Sequence, residues 1–308
     1  MRRLLIDTDT ASDDAIALLM ALLSPNVQVD AISVTAGNVP LDQAVQNALL
    51  TVELTGRPIP VFAGRPAPLL RDTAGAESVH GSDGMGDCGL ALFGRRPAAG
   101  HAADRLIELI TAAPGVYTLV TLGPLSTVAL ALLREPALAQ AVQRCVIMGG
   151  TSDGHGNVTG AAEYNIWADP EAARIVLTSG MRIDLVGWDV SRNDAAFDGP
   201  TVEAWRGLGP LGAFSCDILG AVRRWTQQHM GVDGVDLPDP AAMAVALDPA
   251  IIRASLDVPV SVDCSDGISR GHTILERYSS SGKPPVTVVT AIDREALRSM
   301  LQRTFLAE

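Results

Sequence analysis

The stretch Leu4-Leu5-Ile6-Asp7-Thr8-Asp9-Thr10-Ala11-Ser12-Asp13-Asp14 runs from an apolar segment into four carboxylates within eight positions. Its three leading apolar residues read as the end of a buried strand, and residues 13–23, apolar at nearly every position after the acidic start, read as a helix. Strand alternation places Asp7 and Asp9 on one side of the departing chain. Asp13 and Asp14 fall in the first helical turn, where the helix dipole tolerates negative charge. Carboxylates that converge repel one another unless a cation sits among them, and an all-oxygen set suits hard Ca²⁺ or Mg²⁺. The competing reading of the same residues is a solvated turn with a helix cap.

Outward from this stretch, strand-length apolar runs at 29–34, 59–62, 116–120, 145–148 and 183–186 alternate with helical segments at 41–54, 102–110, 126–133 and 170–178. The alternation predicts an α/β fold with a mostly parallel, Rossmann-like open sheet flanked by helices, in one domain spanning 1–308. The last third adds helices around 211–228 and 240–247, strands at 258–262 and 286–289, and a closing helix from Asp293. Two Gly-rich loops, 64–96 and 149–160, are long enough to suggest function.

Ligands of such sheets bind beyond the carboxyl ends of the strands. There the sequence offers Asn38, then Leu122-Gly123-Pro124, then Met148-Gly149-Gly150. Glu163-Tyr164-Asn165 follows, with an acid and an amide two positions apart that suit vicinal hydroxyls; a plain helix lead-in capped by Asp169 is the alternative. Leu237-Pro238-Asp239-Pro240 adds a carboxylate at a helix start, a pattern that also fits an ordinary N-cap.

Composition narrows the function classes. With 35 acidic and 23 basic side chains the formal net charge is −12, which repels phosphate backbones and excludes nucleic acid as the expected partner. Lys283 is the one lysine available to any mechanism that needs one. Cys88, Cys145, Cys216 and Cys264 are far apart, so neither a zinc site nor a disulfide framework is expected. The first residues are too short of apolar positions for a signal peptide, and no run approaches a membrane span, so the expected place is the cytoplasm with no membrane partner.

The sequence resembles the inosine-uridine preferring nucleoside hydrolase family. Asp7-Thr8-Asp9 with Asp13-Asp14, Gly37-Asn38, His80-Gly81, Gly123-Pro124-Leu125, Met148-Gly149-Gly150, Asn157, Glu163-Tyr164-Asn165 and Asp239-Pro240 stand in the family's order, over effectively the whole chain. The resemblance implies calcium-dependent hydrolysis of the N-glycosidic bond of ribonucleosides by a homodimer or homotetramer. It makes Asp9, Asp14, Asp239 and the backbone carbonyl of Leu122 the Ca²⁺ ligands, and Asp9 the general base. Asp13, Asn38, Met148, Asn157, Glu163 and Asn165 become sugar contacts, and His80 the catalytic group near the base, with Trp225 and His229 lining the same pocket. Electrostatics agrees: breaking this bond builds positive charge on the ribose, which a carboxylate-rich pocket stabilises more than the neutral substrate.

The chain departs from the family pattern twice. Thr10-Ala11 replaces the usual Pro-Gly of the first motif, and Pro238 replaces a histidine that protonates the leaving base in many members. Two rival functions follow: a nucleoside-binding protein without turnover, and a haloacid-dehalogenase-type phosphatase, whose nucleophile motif Asp7-Thr8-Asp9-Thr10 imitates. The second needs an acidic pair after a lysine, and after Lys283 the only acids nearby are the separated Asp293 and Glu295.

Overall fold

The computed structural model describes residues 1–278 and 282–307. Its strands are β1 (Arg2–Thr8), β2 (Val27–Val34), β3 (Val61–Ala63), β4 (Tyr117–Thr121), β5 (Arg144–Met148), β6 (Ile183–Val186), β7 (Ala196–Asp198), β8 (Gly234–Asp236), β9 (Ile252–Val258), β10 (Val260–Val262), β11 (Thr273–Leu275) and β12 (Val286–Ile292). Eight of them form one sheet in the order β3-β2-β1-β4-β5-β6-β12-β9, parallel throughout except for the β12–β9 pair. β7 with β8 and β10 with β11 make two small antiparallel ribbons.

The chain winds outward from β1 to β3, then returns to begin β4 on the other side of β1. Crossovers therefore diverge between β1 and β4 and leave a crevice at their carboxyl ends, the usual ligand position of such sheets. Asp7 lies opposite Thr121 in the register, and the Leu122 N–H donates to the Asp7 carbonyl at 2.8 Å. The two strands thus end level, delivering Asp9 and Leu122 to the crevice side by side.

Alternation along β1 sends Leu4 and Ile6 into the core on one face and Leu5 into the core on the other. On the first face the helix Pro238–Leu247 packs against the helix Ser12–Leu23. Residues 241–246 of the former are all fully buried, so this helix is apolar on every side and lies inside the protein. Its alanines let the two helices approach closely, which brings their N-termini together.

Several expected elements differ. The strand anticipated over 258–262 is two strands, because Pro259 has no N–H for a ladder and divides β9 from β10. The region around 211–228 is two helices, Pro210–Ile218 and Gly220–Met230. The loop 64–96 contains a short helix, Glu77–His80, and the helix Trp188–Asp194 follows β6 without having been anticipated. Among the described residues no helix is long and apolar enough to cross a membrane.

Candidate active site

The acidic stretch divides where β1 ends. Asp7 is still within the strand, so its side chain points across the sheet to the second face and accepts a hydrogen bond from Ser33 Oγ on β2. The expectation that all four carboxylates converge is corrected here: strand alternation stops at Thr8, and Asp9 turns into the crevice instead of following Asp7. Asp7 is fully buried, and burial pushes its carboxyl up to about 7.

Asp9, Asp13, Asp14 and Asp239 do come together. One oxygen from each of Asp13, Asp14 and Asp239 lies within 4.8 Å of the other two. Asp13 and Asp14 occupy the first turn of the helix Ser12–Leu23 and Asp239 that of Pro238–Leu247, so two positive helix ends face the same acids. Asp14 Oδ1 accepts from Thr8 Oγ1 at 2.5 Å, and its Oδ2 accepts from the Ala11 N–H at 3.0 Å and from Asn38 Nδ2 at 3.3 Å. Asp9 Oδ2 accepts from the Asn38 N–H at 2.6 Å.

Burial, and then mutual repulsion, raises the Asp9 and Asp239 carboxyls well above the ordinary range. Burial first, with repulsion from Asp13 acting on Asp14, pushes Asp13 and Asp14 up to about 6. Asp9 Oδ1 and Asp13 Oδ1 are buried without a hydrogen-bond partner. Unpartnered, desolvated carboxylate oxygens packed this closely fit a divalent cation, which would satisfy them and offset their repulsion.

Asp9 has no room to move. A Cβ added to Gly37 would stand 2.0 Å from Asp9 Oδ2, and one added to Gly123 would stand 2.5 Å from Asp9 Oδ1. The loops after β2 and β4 thus clamp this carboxylate between two backbones that only glycine permits.

Beside the acids opens a cavity of about 660 Å³, ordinary for a small-molecule site. Asp13, Asn38, Leu122, Met148, Asn157, Glu163, Asn165, His80 and Asp239 all line it. Asn165 Nδ2 donates to the Leu122 carbonyl at 2.6 Å and lies 3.2 Å from Met148 Sδ. Glu163 accepts N–H groups from Gly150 at 2.8 Å, Asn165 at 2.9 Å and Ile166 at 3.3 Å, so it caps its helix and also ties down the loop after β5. Burial nevertheless raises it to about 7. Asn157 Oδ1 accepts from the Tyr164 N–H at 2.8 Å, which holds the 149–160 loop over the cavity. Asp169, away from these groups, is the N-cap of Pro170–Leu177.

For the residues expected near the base, the outcomes separate. Trp225 lines it. His229 does not: it is exposed one helical turn further on, its ring stacked on Trp225 at 4.7 Å and its Nδ1 2.9 Å from the Trp225 carbonyl. His80 closes the short helix Glu77–His80, and its Nδ1 lies 2.8 Å from Ser12 Oγ. Burial pulls His80 down to about 4, which keeps the ring neutral near pH 7.

Trp188, Arg192 and Asp236 also line the cavity, and none was picked out from the sequence. Burial raises Asp236 to about 6, against the opposing charge of Arg192. Asp236 could have been found as the lone acid in Val235-Asp236-Leu237, and Trp188 as the residue two beyond the end of β6.

Comparison with known proteins agrees with the fold. The family model described as inosine-uridine preferring nucleoside hydrolase matches residues 4–299. The chain belongs to this family. The nucleoside hydrolase is 34% identical to the probable uridine nucleosidase 1 of Oryza sativa subsp. japonica, over 99% of this chain and 97% of that protein. It is 33% identical to the pyrimidine-specific ribonucleoside hydrolase RihB of Escherichia coli strain SE11, over 94% and 91% of the two chains. The solved plant nucleoside hydrolase PpNRh1 superposes with a TM-score of 0.95 at 34% identity, covering 100% of this chain and 99% of the other.

Both departures of this nucleoside hydrolase from the family pattern have a local account. Ala11 is in an ordinary extended conformation, φ −114° and ψ −157°, so its turn needs no glycine. Pro238 opens the helix Pro238–Leu247, where the missing N–H costs no helical hydrogen bond.

Proposed function

We propose that this nucleoside hydrolase cleaves ribonucleosides to ribose and free base, with uridine the first substrate to test. The observation that carries the reading is the juxtaposition of Asp9, Asp13, Asp14 and Asp239 with a cavity lined both by polar side chains and by Trp188 and Trp225. The acids suit the sugar, and the aromatic wall suits a planar base. The names of the rice and Escherichia coli relatives, which specify uridine and pyrimidines, favour a pyrimidine riboside.

Asp14 and Asp239 are the residues on which the family resemblance and the geometry agree as metal ligands. Asp13 completes the close trio, while Asp9 and the Leu122 carbonyl complete the set the resemblance implies. When bound there, a hard divalent cation, Ca²⁺ for this donor set, supplies Lewis acidity toward water and vicinal hydroxyls. Asp13 and Asn38, beside the acids, hold the ribose 2′ and 3′ side. Asn157 and Glu163 stand toward the 5′ end, with Met148 and Asn165 against the ring.

Asp9 is the general base. Its Oδ1 has no partner, its Oδ2 is held by the Asn38 N–H, and the clamp of Gly37 and Gly123 fixes the direction from which it takes a proton. Negative charge around the sugar stabilises the oxocarbenium-like transition state. His80 hydrogen-bonds the departing base as a neutral donor.

The test is a reducing-sugar assay on uridine, cytidine, inosine and adenosine with Ca²⁺ present, run beside calorimetric binding of the same compounds. Ribose release supports the reading. Binding without release on every nucleoside makes the chain a nucleoside-binding protein instead.

A further inference from the structure

Ser12 stands between Ala11 and the acidic pair, and nothing in the site described above gives it a task. It is fully buried, and its Oγ lies 2.8 Å from His80 Nδ1. Among the described residues this is the only hydrogen bond its hydroxyl makes. Asp13 Oδ1 is 3.7 Å from the same Nδ1, beyond hydrogen-bond distance, and has no partner of its own. The ring thus has Ser12 and Asp13 on its Nδ1 edge, and His80 lines the cavity.

We propose that Ser12 is a positioning residue that donates to His80 Nδ1 and so fixes the ring as the Nε2–H tautomer, with that N–H available to the leaving base. The inference rests on the hydrolase reading and on His80 facing the base. A buried hydroxyl hydrogen needs an acceptor, and for Ser12 the only bonded atom that can accept is the Nδ1 lone pair. A neutral imidazole carries one proton, so occupying Nδ1 from outside puts it on Nε2. The reverse arrangement would leave the serine hydrogen unsatisfied and turn a lone pair toward the base. Without Ser12, Nδ1–H has Asp13 as its nearest acceptor, so the ring would turn its donor toward the sugar acid. Ser12 thereby keeps Asp13 Oδ1 free for the ribose as well.

The experiment combines a tautomer measurement with a leaving-group comparison on the Ca²⁺-loaded enzyme. Long-range proton–nitrogen correlation spectra of ¹⁵N-histidine protein, with His80 assigned by its loss in His80→Asn, are expected to show Nε2–H in the wild type. They should show Nδ1–H gaining population in Ser12→Ala, and Nε2–H again in Ser12→Thr. In Ser12→Ala the ratio of kcat for uridine to kcat for p-nitrophenyl riboside, whose leaving group needs no donor, should fall about tenfold, the effect of one hydrogen bond. Ser12→Thr should restore the ratio. A wild-type His80 with its proton on Nδ1 overturns the proposal whatever the variants do. So does an unchanged ratio in Ser12→Ala, or a Ser12→Thr enzyme as impaired as the alanine one. If no riboside is hydrolysed by the wild type, the hydrolase reading fails, and the tautomer spectrum still decides whether Ser12 sets the ring.

Discussion

Asp14 and Asp239 stand in the first turns of two packed helices, with a carboxylate oxygen of each within 4.8 Å of the other. Two buried carboxyls this close repel when both are ionised, so a proton and a cation compete to relieve them. Asp14→Ala should therefore abolish both metal binding and turnover. The variant also frees Thr8 Oγ1 and the Ala11 N–H, which now donate to Asp14, so some loss of stability accompanies it, about 1–3 kcal/mol. Calorimetric titration of Ca²⁺ with a parallel ribose assay measures this. A variant that binds one equivalent and turns over at the wild-type rate would falsify the ligand assignment.

The same cluster makes metal stabilisation depend on pH. Asp13 and Asp14 are pushed up to about 6, against an ordinary value of 3.8, in the metal-free protein. A carboxyl raised on folding stabilises fully below its unfolded value, and that contribution is lost as pH rises through its folded value. Metal-free protein thus carries the repulsion between Asp13 and Asp14 above about pH 6, where a cation relieves it. The rise in Tm produced by Ca²⁺ should be large at pH 7.5, about 4 kcal/mol in stability at a thousandfold excess over Kd. It should shrink steadily toward pH 4.5. Thermal scans with Ca²⁺ and with chelator across that range provide the check, and a Ca²⁺ effect that is flat or grows toward acid would contradict it.

Much of this site was legible because Asp9, Asp13 and Asp14 are adjacent in sequence and strand-end residues converge in any sheet of this kind. The position of Asp7 was not legible, since it turns on the single residue at which β1 stops. Trp188, Arg192 and Asp236 were missed for a different reason. They reach the cavity from the helix Trp188–Asp194 and from β8, elements too short to leave a periodic signal. His229 was placed in the pocket by the family resemblance, but its position one helical turn beyond Trp225 leaves it exposed.

The glycine clamp predicts an unusually severe effect for a small substitution. In Gly123→Ala the new methyl would meet Asp9 Oδ1 at 2.5 Å and the Asp9 backbone nitrogen at 2.9 Å. A rotamer change can relieve the first contact but not the second, so the strand end must shift. Overpacking of this kind costs about 1–3 kcal/mol in stability. Because Asp9 is displaced, kcat should fall far more than stability alone would explain, while Ca²⁺ binding through Asp14 and Asp239 weakens less. Unaltered kcat in folded Gly123→Ala would remove Asp9 from the role of base.

Sugar selectivity follows from the buried acids. Asp13 is 7% exposed and its Oδ1 has no partner, so a substrate hydroxyl that reaches it satisfies an otherwise unpaired oxygen. A site built to bind a hydroxyl can discriminate against its absence by ~10⁴ in favourable cases. Uridine should accordingly be cleaved at least ~10³ times faster, by kcat/KM, than 2′-deoxyuridine. Comparable values for the two would show that the ribose contacts lie elsewhere.

The leaving base must be helped by something other than the residue at 238, because proline has no proton to give. His80 lines the cavity with its Nδ1 edge already occupied by Ser12, and burial lowers it to about 4, so it acts near neutrality as a hydrogen-bond donor, not as an imidazolium. A neutral donor that strengthens its bond as negative charge builds on the base lowers the barrier only for leaving groups that need it. His80→Ala is therefore expected to lower kcat on uridine and inosine by about 10²-fold, the lower end for a lost donor of this type. The loss on p-nitrophenyl riboside should be much smaller. Wild-type kcat on uridine should also lack a rise on acidification from pH 8 to 6, because no imidazolium forms in that window when the folded value is about 4. Equal losses on all three substrates would assign His80 to binding or folding. A wild-type profile that climbs toward pH 6 would instead show that a protonated acid assists, His80 as imidazolium if His80→Ala removes the climb and Asp236, raised to about 6 within the same cavity, if it does not.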